Sequence, residues 1–102
     1  MDINSTFGER LSKAVEFGKA LRDVVISTED FDARQRMGSD LDDLFHKIRL
    51  TDQSAVVASA PRCNLGQWSL ANERSRELVR ETFRLARRYD LWTDQIQEDR
   101  RY

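Results

Sequence analysis

Hydrophobic and small residues in the first quarter of the chain fall at Phe7, Leu11, Ala14, Gly18, Leu21 and Val25, a spacing of alternating fours and threes. That repeat puts them on one stripe of an α-helix, with Val15, Phe17 and Val24 widening it. Thr6 and Glu9 have the spacing of a capping box, so the first helix is expected to start there and run to about Val25. Gly8 and Gly18 each cost ~1 kcal/mol against alanine inside a helix. Gly18 lies on the stripe and reads as a point of close helix packing.

The run Ile26-Ser27-Thr28-Glu29-Asp30 offers two candidate caps and then acids that suit the positive end of a helix dipole. A second helix is expected from there to about Leu50, with its apolar seam at Phe31, Met37, Leu41, Leu44 and Ile48. Gly38 and Ser39 predict a kink in it. Asp52 reads as the cap of a short third helix over 53–59, which Pro61 ends because the residue before a proline avoids the helical region.

The clearest pattern comes last: Ala71, Ser75, Leu78, Thr82, Leu85, Tyr89, Trp92 and Ile96 alternate fours and threes without a miss, and Val79, Phe83 and Ala86 thicken the stripe. A helix from Leu70 to Glu98 extends ~40 Å, whereas the first two reach ~30 Å. The surplus either projects with Trp92 and Ile96 exposed for a partner, or it frays at Asp90 or folds back on the bundle.

Composition agrees with an all-α protein. Four glycines and one proline stand in a chain of 102 residues that is rich in Glu, Arg, Leu and Ala, and strand signals are scarce. The expected fold is a small bundle of three long helices plus one short helix, forming a single helical domain over 1–102. Cys63 has no second cysteine to bridge to, and the longest unbroken apolar run is Ala55 to Ala58, too short for a membrane span. With no signal-like amino terminus, the expectation is a cytoplasmic protein.

The string Cys63-Asn64-Leu65-Gly66-Gln67-Trp68 is similar to the Cys-x-Leu-Gly-x-Trp signature of the chemoreceptor zinc-binding family. The resemblance covers six residues. It implies a four-helix bundle holding zinc through one cysteine and three histidines, whereas this chain has only His46, ahead of Cys63. Cys63 and His46 leave zinc two ligands short. The competing reading is that Leu65 and Trp68 plug the bundle while Gly66 permits the turn.

Seventeen basic residues face eighteen acidic ones, so binding to an acidic partner has to come from local clustering. Arg76, Arg80, Arg84 and Arg87 form such a cluster at spacings of four, four and three, on the side of the last helix away from its apolar seam. Glu73, Glu77 and Glu81 each precede an arginine by three residues and partly neutralise it. Asp40, Asp42 and Asp43, with Glu29, Asp30 and Asp32 upstream, make an acidic counterpart that suits the arginines of a second copy. The acids lack the spacing of a calcium loop.

No nucleophile-base pair, phosphate loop or nucleotide fingerprint is present, so the expectation is a non-enzyme with no catalytic, cofactor or metal site. The function read from these residues is a small protein–protein interaction module: an adaptor, inhibitor or regulatory subunit acting through its surface. Its expected partner-binding residues are Arg80, Arg84, Arg87, Arg88, Tyr89, Trp92 and Ile96, aromatic and arginine side chains being the ones that dominate interface energies. The expected partner is a protein with an acidic surface, with a homodimer as a further form. A nucleic-acid regulator using the arginine-rich helix is the alternative, and a degenerate zinc sensor around Cys63 the third.

Overall fold

The computed structural model describes residues 3–94, 96 and 97, with side chains from Phe7 onward. All regular secondary structure among them is α-helical: α1 spans Ile3–Ser27, α2 Phe31–Ala58 and α3 Leu65–Tyr89. Each helix packs against the other two. No helix there is long and apolar enough to cross a membrane.

The helix starts follow local chemistry, though not always at the expected residues. Thr6 lies inside α1 and therefore does not cap it. Asp30 caps α2, its carboxylate accepting the backbone N–H of Asp32 at 3.0 Å and of Ala33 at 3.5 Å. Asn64 and Gln67 form a capping box at the start of α3: the Asn64 side chain accepts the Gln67 N–H at 2.8 Å, and the Gln67 side chain accepts the Asn64 N–H at 2.9 Å. Two residues of the Cys-x-Leu-Gly-x-Trp string thus do the work of starting a helix.

No separate short helix follows Leu50. Residues 53–58 are the last turns of α2, which remains helical through Gly38 and Ser39 as well. Its buried stripe of Met37, Leu41, Leu44 and Ile48 is extended by small and polar side chains, namely Thr51, Ser54, Ala55 and Ala58. Ser54 can be buried because its hydroxyl donates to the Leu50 carbonyl at 3.0 Å and accepts from the Arg74 guanidinium at 2.5 Å. Phe31, expected on the seam, is 68% exposed. It is the first residue of α2, beyond the level at which α3 ends against Ala33, Met37 and Asp40.

Side-chain contacts fix the register. Arg74 meets Ser54, Glu81 meets Lys47 and Arg88 meets Asp40, so α2 and α3 run antiparallel. Phe7 stacks at a tilt on Trp68, and Arg10 donates to Asn72 at 2.9 Å and Ser75 at 2.6 Å, so α1 runs parallel to α3. Burial lowers the Arg10 pKa, with the neighbouring charge of Arg76 acting in the same direction. At Gly18 a β-carbon would come within 3.2 Å of the Phe45 ring, which is the close approach of α1 to α2 that its place on the stripe implied.

The main core gathers Ala14, Phe17, Leu21, Met37, Leu41, Leu44, Ile48, Leu78, Leu85, Ala86 and Ile96. A smaller cluster of Phe7, Ala55, Ala58 and Ala71, edged by Trp68, fills the end near the α2–α3 connection.

Candidate functional site

The stripe expected on α3 is present: Ala71, Ser75, Leu78, Thr82, Leu85 and Ala86 are buried. The helix, however, stops at Tyr89. Asp90 takes the left-handed conformation (φ 48°), its N–H donates to the Arg87 carbonyl, and the Leu91 N–H donates to the Ala86 carbonyl at 2.9 Å. These two bonds form a Schellman ending, with Asp in the position glycine usually holds. Arg87 and Arg88 sit in the last turn, where cations suit the negative end of the helix dipole.

Beyond Asp90 the chain folds back. A single turn is closed by the Gln97 N–H on the Thr93 carbonyl at 2.9 Å, and Ile96 is completely buried in the main core. Ile96 is therefore an internal packing residue and not an exposed anchor. Trp92 is half-buried against the same core, and its indole N–H donates to Asp90 at 3.0 Å. Its role is to secure the fold-back. Glu98, the expected end of the helix, lies outside the described residues.

Tyr89 is held as well. Its hydroxyl donates to the Asp40 carboxylate, while Arg88 lies 3.6 Å from the same carboxylate and 5.6 Å from the tyrosine ring centroid. Burial raises the Tyr89 pKa, and the bond to Asp40 raises it further. Asp40 thus ties the end of α3 to α2 and is spent on an internal contact.

Of the seven residues expected to meet a partner, the four arginines converge. Arg80, Arg84, Arg87 and Arg88 surround an open groove of about 610 Å³ whose apolar floor is Val79 and Phe83. Helical geometry explains the set: these positions, separated by one, three or four residues, form adjacent ridges on one side of α3. Val79 and Phe83 were legible as apolar positions but read as thickening of the core stripe. In the fold both are half-buried, and Phe83 packs against the edge of the main core.

The four cations differ in freedom. Arg84 grips Glu81 through two bonds of 2.6 and 2.9 Å, and Lys47 approaches the same carboxylate at 3.6 Å. The hydrogen bond from Arg84 lowers the Glu81 pKa and raises that of Arg84. Arg88 is engaged with Asp40. Arg80 and Arg87 are exposed and have no ion-pair partner among the described residues. The groove therefore offers an apolar floor, two cations held in place and two free to meet an incoming charge.

The zinc ligand set does not come together. Cys63 is half-buried in the α2–α3 connection, whereas His46 lies on the exposed side of α2 beside Lys47, Leu50 and Glu77. Twelve residues of helix separate His46 from the end of α2, about 18 Å. Among the described residues, no group of three or more His, Cys, Asp or Glu side chains is placed to hold a metal ion. The acids also separate: Asp42 and Asp43 are exposed on α2, and Glu29, Asp30 and Asp32 are exposed around the α1–α2 turn.

No protein-family model, no curated protein and no solved structure matches this chain.

Proposed function

We propose that this chain is a small helical protein–protein interaction module, an adaptor, inhibitor or regulatory subunit, whose α3 groove receives an acidic, partly apolar segment of a partner protein. The observation that supports this reading is the pairing of the half-buried Val79–Phe83 floor with Arg80 and Arg87, which have no ion-pair partner among the described residues. Apolar contact supplies affinity, and the arginines select carboxylates by charge-assisted hydrogen bonds. Glu81 and Asp40 offset two of the four cations, which favours a partner of modest negative charge over the dense phosphate array of a duplex.

The probe is a fluorescent synthetic helical peptide carrying leucine on one face and glutamate on the other. The wild-type protein is expected to bind it, with affinity falling about tenfold or more in the R80E/R87E variant. A parallel titration with mixed-sequence duplex DNA at two salt concentrations reads the alternative. Tight, steeply salt-dependent DNA binding without peptide binding would replace this proposal with the nucleic-acid reading.

A further inference from the structure

The α1–α2 turn carries two large apolar side chains in water. Ile26 is 63% and Phe31 68% exposed, one at the end of α1 and the other at the start of α2. Three exposed acids lie beside them in the chain: Glu29, Asp32 and Asp30, the cap of α2. This turn therefore has the composition that the α3 groove is read as selecting, with apolar side chains to meet Val79 and Phe83 and carboxylates to meet Arg80 and Arg87. It cannot enter its own groove, because the helices that carry it are packed against α3. Any occupancy has to come from another molecule.

We propose that the α1–α2 turn of one copy docks into the α3 groove of a second copy, so that the chain self-associates through the surface that receives its partner. The inference rests on the reading of the groove as a site for acidic, partly apolar segments. One turn in one groove buries little area, which places the contact in the weak, concentration-dependent class. Because carboxylates and guanidinium groups meet at an exposed rim, salt weakens it. Self-association and partner binding then exclude each other, and dilution or a partner in excess frees the groove.

Sedimentation velocity over rising protein concentration tests this with two charge-reversed full-length variants, E29K/D32K in the turn and R80E/R87E in the groove. All four positions are exposed, and circular dichroism checks that each variant retains its helices. The wild-type mass is expected to rise with concentration, each variant alone to lose at least about tenfold in association, and an equimolar mixture of the two variants to recover it, since the acidic turn of R80E/R87E then meets the arginine groove of E29K/D32K, and the lysines of the second turn meet the glutamates of the first groove. A wild-type protein that stays monomeric overturns the inference, as does association unaffected by the turn variant. The leucine–glutamate peptide separates the two failures: if it still binds the wild type and not R80E/R87E, the groove reading survives while self-docking falls, and if it does not bind, both fall.

Discussion

The two tryptophans mark opposite ends of the molecule, and their surroundings differ. At the Asp90 end, the Trp92 indole donates to the carboxylate of the residue that terminates α3, and Ile96 fills the core beneath. At the other end, Trp68 packs on Phe7 among three alanines, and its indole N–H is buried with no acceptor among the described residues. The Asp90 end is not free of such cost, since the Thr93 hydroxyl is also buried without a partner among the described residues. Even so, it combines a Schellman ending, an indole hydrogen bond and a large aliphatic plug, whereas the other end combines the Asn64–Gln67 capping box and the Arg10 hydrogen bonds with one ring contact and small residues. The fold-back therefore secures the stretch of α3 that carries the arginine groove.

The strongest challenge to this contrast is Ile96→Ala. Removing a fully buried aliphatic side chain costs about 2–4 kcal/mol, read by chemical denaturation. A loss below about 0.5 kcal/mol would show that the segment after Asp90 does not plug the core. A finer comparison sets Trp92→Phe against Trp68→Phe. Both lose ring volume, but only the first loses an indole hydrogen bond, so it should cost about 1 kcal/mol more. Equal costs would remove the distinction between the two ends.

The smallest effect concerns Glu81 and is read through pH. Its pKa is lowered in the folded state, so its contribution is present at neutral pH and lost as pH falls below the ordinary value of 4.5 and through the folded one. Glu81→Gln should cost less than about 1 kcal/mol at pH 7, because Lys47 and Arg84 are about half exposed. The difference from wild type should vanish in acid. A difference that persists there would mean that Glu81 acts through packing.

Much of this architecture was legible from spacing. The apolar stripes of α1 and α3 and most of the α2 seam are helical repeats that reappear in the fold, and of the arginine ridge Arg80, Arg84 and Arg87 line the groove while Arg76 does not. The errors share one cause, which is that a repeat records sidedness and not continuity. Trp92 and Ile96 keep the α3 spacing, yet the chain turns at Asp90 and buries Ile96 from another direction. The signals for that turn were an aspartate that tolerates the left-handed region and the two arginines before it. Conversely, α2 continues past Leu50 because Thr51, Ser54, Ala55 and Ala58 hold its buried side, although an apolar count passes over Thr51 and Ser54. The groove floor was missed for a related reason: Val79 and Phe83 differ from core residues only in which neighbour is absent.

The most direct test of the central claim, that the α3 groove and not the Trp92–Ile96 segment receives acidic ligands, is an NMR titration of the full chain with the leucine–glutamate peptide. Shift changes are expected at Val79, Phe83 and the side-chain Nε–H groups of Arg80 and Arg87, with the Trp92 indole and the Ile96 methyls unmoved. Changes centred on Trp92 and Ile96, or none at saturating peptide, would contradict it.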